Sequence, residues 1–483
     1  MPRTRGTIHG RYEDEDTYDE VGAYLQSETD LSDRFTFVAA GRVDWHSELP
    51  NAVFSPRAAL VFSPVEGQSV RATYNRAFST PTSVNLFLDI NAGPFPDPLL
   101  ASVGYGLWAQ GSAGRGFTFR QPDGSLTGMR SPFNPAGADQ LMPVDVPYMW
   151  NTAISLAQLL GQIDPETAQF LAGRTPAAGE VVPAYIADPA GLAVGDVPQP
   201  ITDDVSFEIP PLEESVTTTW ELGYSGLLAD RILLSADLWY SRRDNFVSDL
   251  RAATPLLFVD GGSAAEYIAP DLVQHLMTEQ GLSQAEAEAE AERVITAMAG
   301  IPVGVLSSDE VGTAEGRSDL LVTYANFGDV SLWGTDLSAQ LILADRWRLN
   351  LSGSWVNRDH FVTEEGQRIS LNAPTTKLSA GVQYRDPFRG WNAEVRGRYN
   401  NEFPVLSGVY EGIACIEDVP DPAASPCVDS FFLLDLSAGY QLPAVPGASI
   451  HLSVQNVFDE GYRSFIGAPE VGRLALLRVR YEF

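Results

Sequence analysis

Five histidines, His9, His46, His275, His360 and His451, are the first residues to test for chemistry, because imidazole ligates metals and moves protons near neutral pH. They are scattered and show no metal-ligand spacing. The chain has no Walker-type glycine loop and no nucleophile elbow, so no catalytic constellation, metal or cofactor is expected. An enzyme is the least supported class. Two cysteines, Cys415 and Cys427, flank a Pro/Asp/Ala-rich stretch between strand-like runs. Their spacing suits a disulfide pinning one loop, worth about 3 kcal/mol on the loop-entropy model. That places the loop in an oxidising compartment, the alternative being two free thiols in a cytosolic protein.

Composition excludes some partners. The chain carries 63 acidic against 31 basic residues, a net charge of -32. Nucleic acid is an unsuitable partner, because phosphate contacts need an excess of Lys and Arg. The acid is concentrated at Glu13 to Glu20, Asp203 to Glu214 and Glu286 to Glu292, read as solvated loop surface. No apolar stretch approaches the roughly 20 residues a spanning helix requires. A β-barrel remains open, because its strands alternate apolar and polar residues and average to a mean hydropathy such as the -0.07 found here.

Period-2 alternation organises the sequence. From Arg34 to His46, one face carries Phe35, Phe37, Ala39, Gly41, Val43 and Trp45, and the other Arg34, Thr36, Arg42, Asp44 and His46. The pattern returns at Ala58 to Phe62 and Val70 to Tyr74. It recurs from Trp220 to Tyr224, Ile232 to Tyr240, Trp333 to Leu343 and Trp347 to Trp355. Further copies are Leu378 to Tyr384, Trp391 to Tyr399, Leu434 to Tyr440, Ile450 to Val454 and Ala475 to Phe483. With Asp19 to Ser27 this predicts about 13 strands, each long enough to cross a bilayer when tilted. Aromatics at the ends of the apolar faces suit the two interfacial girdles of a barrel.

Short links, as at Leu227 to Asp230 and Ala344 to Arg346, alternate with long loops at about 79–213 and 248–317. Short turns on one side and long loops on the other are the habit of bacterial barrels. The loops hold expected helices from Pro147 to before Gly161, from Asp164-Pro165 to before Gly173, from Asp271 to Gln280, and from a Ser283/Glu286 capping box to Gly300. A small hairpin is expected around Phe117 to Arg120 and the Asp123-Gly124 turn. Arg42, Asp44, Arg71, Glu221, Asp237, Arg396 and Arg398 would face a polar lumen and pair across neighbouring strands, a substrate role being the alternative. Tyr105, Trp108, Phe117, Phe119, Tyr148 and Trp150 either line a ligand vestibule in the loops or pack within them.

Five segments in order resemble one family. They are "SVRATYNRAFSTPT" (69–82), "TTTWELGYSGLLADRILLSADLWYSRRDNF" (217–246), "NFGDVSLWGTDLSAQL" (326–341), "LSVQNVFDEGYR" (452–463) and the terminal "RLALLRVRYEF". Together they resemble the barrel strands of TonB-dependent receptors. Val457 stands where the family's Asn-Leu-Phe-Asp pattern has Leu. The resemblance covers roughly half the chain, essentially the strands. It implies an all-β antiparallel transmembrane barrel in the bacterial outer membrane, of which this chain supplies about 13 of about 22 strands. Residues 1–16 are expected to be a loop or strand remnant and 17–483 the C-terminal part of the barrel, without the family's plug domain. The N-terminus has no apolar signal segment, so the true start is expected upstream. The implied function is energised uptake of a scarce solute: a ferric siderophore, cobalamin or oligosaccharide. Implied partners are outer-membrane lipid, the TonB complex through the N-terminal part, a small-molecule substrate, and the barrel-assembly machinery, which would read Tyr481 and Phe483. The alternative is a complete passive channel of about 14 strands.

Overall fold

The computed structural model describes residues 9–10, 16–112, 115–189, 195–248, 250–362, 368–407, 410–416, 425–465 and 468–483. Its main element is a sheet of 13 strands. These are β1 (Glu20–Ser32), β2 (Phe35–His46), β3 (Val53–Phe62), β4 (Gln68–Ser79), β5 (Ser215–Leu228), β6 (Ile232–Val247) and β7 (Asn326–Ala344). They continue as β8 (Trp347–Val356), β9 (Thr376–Asp386), β10 (Trp391–Asn400), β11 (Phe431–Gln441), β12 (Ala448–Gln455) and β13 (Leu474–Tyr481). Neighbours in the sheet follow chain order, and each pairs antiparallel with the next.

The alternation decides the two faces. Tyr74, Trp220, Tyr240 and Trp333 fall in one register row across β4 to β7, on the apolar face at the long-loop end. At the short-turn end Trp347 lies against Tyr384, their rings tilted with centroids 4.9 Å apart, and Trp391 stacks on Tyr440 at 4.3 Å. Trp347 and Trp355 bracket β8, about 27 Å apart along the strand at ~3.4 Å per residue. Between these aromatic rows, Leu222, Leu238, Leu337, Leu351, Leu378, Val395 and Leu436 are exposed. A sheet in water would cover such a face. Pro56 is tolerated in β3 because it opposes Gly41 of β2, while β3 meets β4 only from Arg57 onward.

The short turns are tightly specified. Ala229 and Asp230 both have left-handed φ (49° and 55°), as a type I′ turn requires, and Arg231 N donates to Leu228 O at 3.1 Å. Gly447, at φ 81° between β11 and β12, sits so close to Glu482 that an added Cβ would lie 2.3 Å from its carbonyl oxygen. β1 and β13 are the outer strands, and each is exposed along its whole length.

At the other end, the β4–β5 and β6–β7 connections fold together into a cap. Helices α1 (Val146–Leu159) and α2 (Pro165–Ala172) begin at Asp145 and Asp164, whose side chains accept from Tyr148 N and from Glu166 and Thr167 N. Helix α4 (Gln284–Ala299) has the full Ser283/Glu286 capping box. Helix α3 runs over Gly261–Glu279, starting ten residues before the expected Asp271. Asp260 caps it through Ser263 N, and the exposed Pro270 is accommodated inside the helix.

Two small sheets interleave the loops. One joins Arg251–Ala252, Ser318–Thr323, Tyr105–Gln110 and Asp89–Pro94; the other joins Met129–Arg130, Gly304–Leu306, Leu256–Val259, Pro183–Ile186 and Gln199–Pro200. The second loop therefore extends past the expected residue 317, because Ser318–Thr323 pairs parallel with Tyr105–Gln110 before β7 begins. Phe119, Trp150, Leu171, Leu257, Leu272 and Leu276 are fully buried in the core shared by these segments.

Candidate functional site

The face opposite the exposed apolar one is polar and charged. One register row crosses seven strands as Ser69, Ser225, Ser235, Ser338, Ser352, Ser379 and Arg398. The adjacent row, two residues along each strand, is Arg71, Gly223, Asp237, Asp336, Ser354, Lys377 and Asn400. Side chains alternate faces along a strand, so both rows share this face.

Arg71 Nη2 donates to Glu221 Oε1 at 2.6 Å and to Asp237 Oδ1 at 2.8 Å, joining β4, β5 and β6. Arg398 Nη2 reaches Asp435 Oδ2 of β11 at 2.8 Å. Two other arginines depart from the expected cross-strand pairing. Arg42 forks onto Asp44, with contacts of 2.6 to 2.9 Å, and Arg396 meets Glu394 at 2.6 Å, each within its own strand. Residues i and i+2 share a face about 7 Å apart, which a folded-back arginine spans easily.

Asp336 accepts from Trp239 Nε1 at 2.9 Å and from Ser354 Oγ at 2.6 Å. A hollow of about 420 Å³ opens beside it, lined on its polar side by Ser235, Ser338, Ser352, Ser379, Lys377 and Arg398. Lys377 is the single lysine in the chain. Sequence reading passed over it because an isolated lysine on a strand looks like ordinary solvation; its uniqueness was the available signal.

The aromatic candidates sit elsewhere. Phe119 and Trp150 are fully buried, Phe117 and Trp108 nearly so, and Tyr105 is 1% exposed. Trp150 Nε1 donates to Leu171 O at 3.1 Å, and Tyr105 OH to Pro302 O at 3.1 Å. Burial pushes the Tyr105 phenol well above its ordinary range. Trp108 Nε1 donates to Asp89 Oδ1 at 2.6 Å, and Tyr148, half-buried, reaches Ser131 Oγ at 3.3 Å. These six side chains pack within the cap. Cys415 and Cys427 are bonded, with Cα atoms 5.9 Å apart. Tyr481 and Phe483 are exposed at the end of β13, ring centroids 6.4 Å apart.

Where cap meets sheet, Asn326 Nδ2 donates to Glu213 O at 3.1 Å and Asn245 O at 3.0 Å, and Glu213 N to Asn326 Oδ1 at 2.6 Å. Beside them the Glu214 carboxyl is buried, which raises its pKa, with neighbouring Glu213 adding to the rise and His46 opposing it. No cluster of His, Cys, Asp and Glu able to hold a metal exists among the described residues.

Comparison with known proteins gives this arrangement a family. The model of the TonB dependent receptor-like β-barrel matches residues 2–141 and 172–457; the intervening gap contains α1 and all but the last residue of α2. No curated relative matches the sequence. Among solved structures, the siderophore receptor PirA from Acinetobacter baumannii superposes with a TM-score of 0.51 at 11% identity, over 96% of this chain and 46% of that one. The FrpB iron transporter from Neisseria meningitidis (F3-3 variant) gives 0.46 at 13%, over 96% and 45%. The ferripyoverdine receptor of Pseudomonas aeruginosa gives 0.45 at 12%, over 96% and 39%. This chain thus spans less than half the length of each. The PirA likeness is one of fold, and the family match covers most of the sequence. The chain belongs to the TonB-dependent receptor β-barrel family, whose members are transporters and receptors of the bacterial outer membrane.

Proposed function

We propose that this chain is wall and cell-surface cap of a receptor for energised uptake of a scarce, bulky solute, in the first instance a ferric siderophore, with cobalamin or an oligosaccharide as the other classes. The observation that carries the reading is the two-faced sheet. An exposed apolar face bounded by aromatic rows suits lipid, an ion-paired polar face suits an aqueous lumen, and the long loops fold into one cap at a single end. The cap would face the cell exterior and the short turns the periplasm.

Strand parity supports a wall completed by further strands. β1 and β13 are both odd in an antiparallel series, so they run in the same direction. Joining them directly, or joining two copies end to end, would create a parallel seam. Antiparallel closure needs an odd number of additional strands, which a wall of about 22 satisfies. A passive channel of about 14 satisfies parity too; family membership favours the larger, energised receptor. On this reading TonB would act through an N-terminal part, and Tyr481 and Phe483 would present the end of the wall to the assembly machinery.

The test is uptake of radiolabelled ferric siderophore by cells carrying the full-length protein, with and without TonB. Uptake that requires both is the expected result. Uptake indifferent to TonB would replace this reading with the passive channel.

A further inference from the structure

The free polar groups of the inner face are not spread evenly. Asp237 and Asp336 are already engaged, by Arg71 and by Trp239 with Ser354. Around the hollow beside them, the hydroxyls of Ser235, Ser338, Ser352 and Ser379 hydrogen-bond to no other group among the described residues, and Lys377 makes no ion pair there. Arg398 spends Nη2 on Asp435, while its Nε is buried without a partner.

We propose that this hollow is a recognition site for a small hydroxylated monocarboxylate, an assignment that rests on the polar face being a lumen. Lys377 takes the carboxylate, with the part-exposed Arg398 guanidinium beside it. The four serines, one per strand on β6 to β9 and about 4.8 Å apart, hydrogen-bond successive hydroxyls along the solute. Asp237 and Asp336, at the opposite end of the hollow, discriminate against a second anionic group. Lys377 lies one residue from the start of β9 at the cap end, so the site stands near the outer mouth of the wall.

The chemistry can be read at Lys377 itself. The full-length protein in outer-membrane vesicles is treated with an acetylating N-hydroxysuccinimide ester, and modification at Lys377 is followed by peptide mass spectrometry. Gluconate is the probe, with uncharged glucitol, propionate and the dianion glucarate as comparisons. The expected result is a saturable slowing of Lys377 acetylation by gluconate, at least about fivefold, with little effect from the other three. Ser352→Ala with Ser379→Ala removes two hydroxyls that hold nothing else, and should raise the half-protecting gluconate concentration about tenfold. Equal protection by propionate, or by glucarate, overturns the assigned solute class. An unchanged rate in gluconate overturns the site. Either failure leaves vesicle location and TonB-dependent uptake intact, whereas failure of the receptor reading shows in those two measurements.

Discussion

Arg71 of β4 and Asp237 of β6 meet at 2.8 Å across the intervening strand β5. The residue between them in the register is Gly223, where an added Cβ would come 2.4 Å from Asp237 Oδ1 and 2.9 Å from Arg71 Nε. The glycine is the gap through which the guanidinium reaches its second carboxylate. Gly223→Ala should therefore displace Arg71 and destabilise the wall by about 1–2 kcal/mol, as should Arg71→Met, which leaves Glu221 and Asp237 facing each other. The two substitutions combined should cost less than their sum, because they break the same contact. Thermal unfolding of the single and double variants reads this directly.

The cap should unfold separately from the wall. Trp150 is fully buried, donates to Leu171 O and meets the Tyr267 ring edge-on at 5.8 Å. Trp150→Ala removes that packing at a cost of about 3–5 kcal/mol. Protease added to intact cells should then cut within residues 80–214 and 248–325, while the strands stay protected.

Glu214 gives a pH signature at the junction. Burial raises its pKa from the ordinary value of 4.5, so the folded state holds the proton more tightly than the unfolded one. Its stabilising contribution is complete below the unfolded value and is lost as pH rises through the folded one. Glu214→Gln removes that loss. The variant should melt higher than the parent protein at neutral pH, and the difference should vanish in acid below the ordinary carboxylate range.

The Cys415–Cys427 bond closes a 12-residue separation in the β10–β11 connection. Replacing both by serine should destabilise that loop by about 3 kcal/mol on the loop-entropy model and leave the sheet register unchanged. Hydrogen exchange should show faster amides around Val405–Ser407 and Tyr410–Gly412, with β10 and β11 unaffected.

The wall was legible because period-2 alternation is a local signal repeated strand after strand. β6 shows why: Ile232, Leu234, Ala236, Leu238 and Tyr240 declare one face without reference to anything distant. The helices were legible where a cap marked the start, as at Ser283, while the helix expected from Asp271 starts ten residues earlier, at Gly261. The cap's interleaving was not legible. Tyr105–Gln110 pairs with Ser318–Thr323 across more than 200 residues, and neither segment alternates strongly enough to announce a partner. For the same reason the packing partners of Trp108, Phe117, Phe119 and Trp150 could not be named from the sequence, although packing within the loop was the commoner expectation for such residues. The hollow at Lys377 depends on which strands stand side by side, so its serines were visible singly but not as a row.

The central claim is that the sheet's apolar face meets lipid and its polar face meets water. Nitroxide labels placed singly at Leu234, Ser235, Ala236, Asp237 and Leu238 of β6, in the full-length protein in outer-membrane vesicles, test it most directly. Oxygen accessibility should peak at Leu234, Ala236 and Leu238, and accessibility to a water-soluble nickel complex at Ser235 and Asp237. A run of labels all open to the nickel complex, or shielded from oxygen on both faces, would contradict the account.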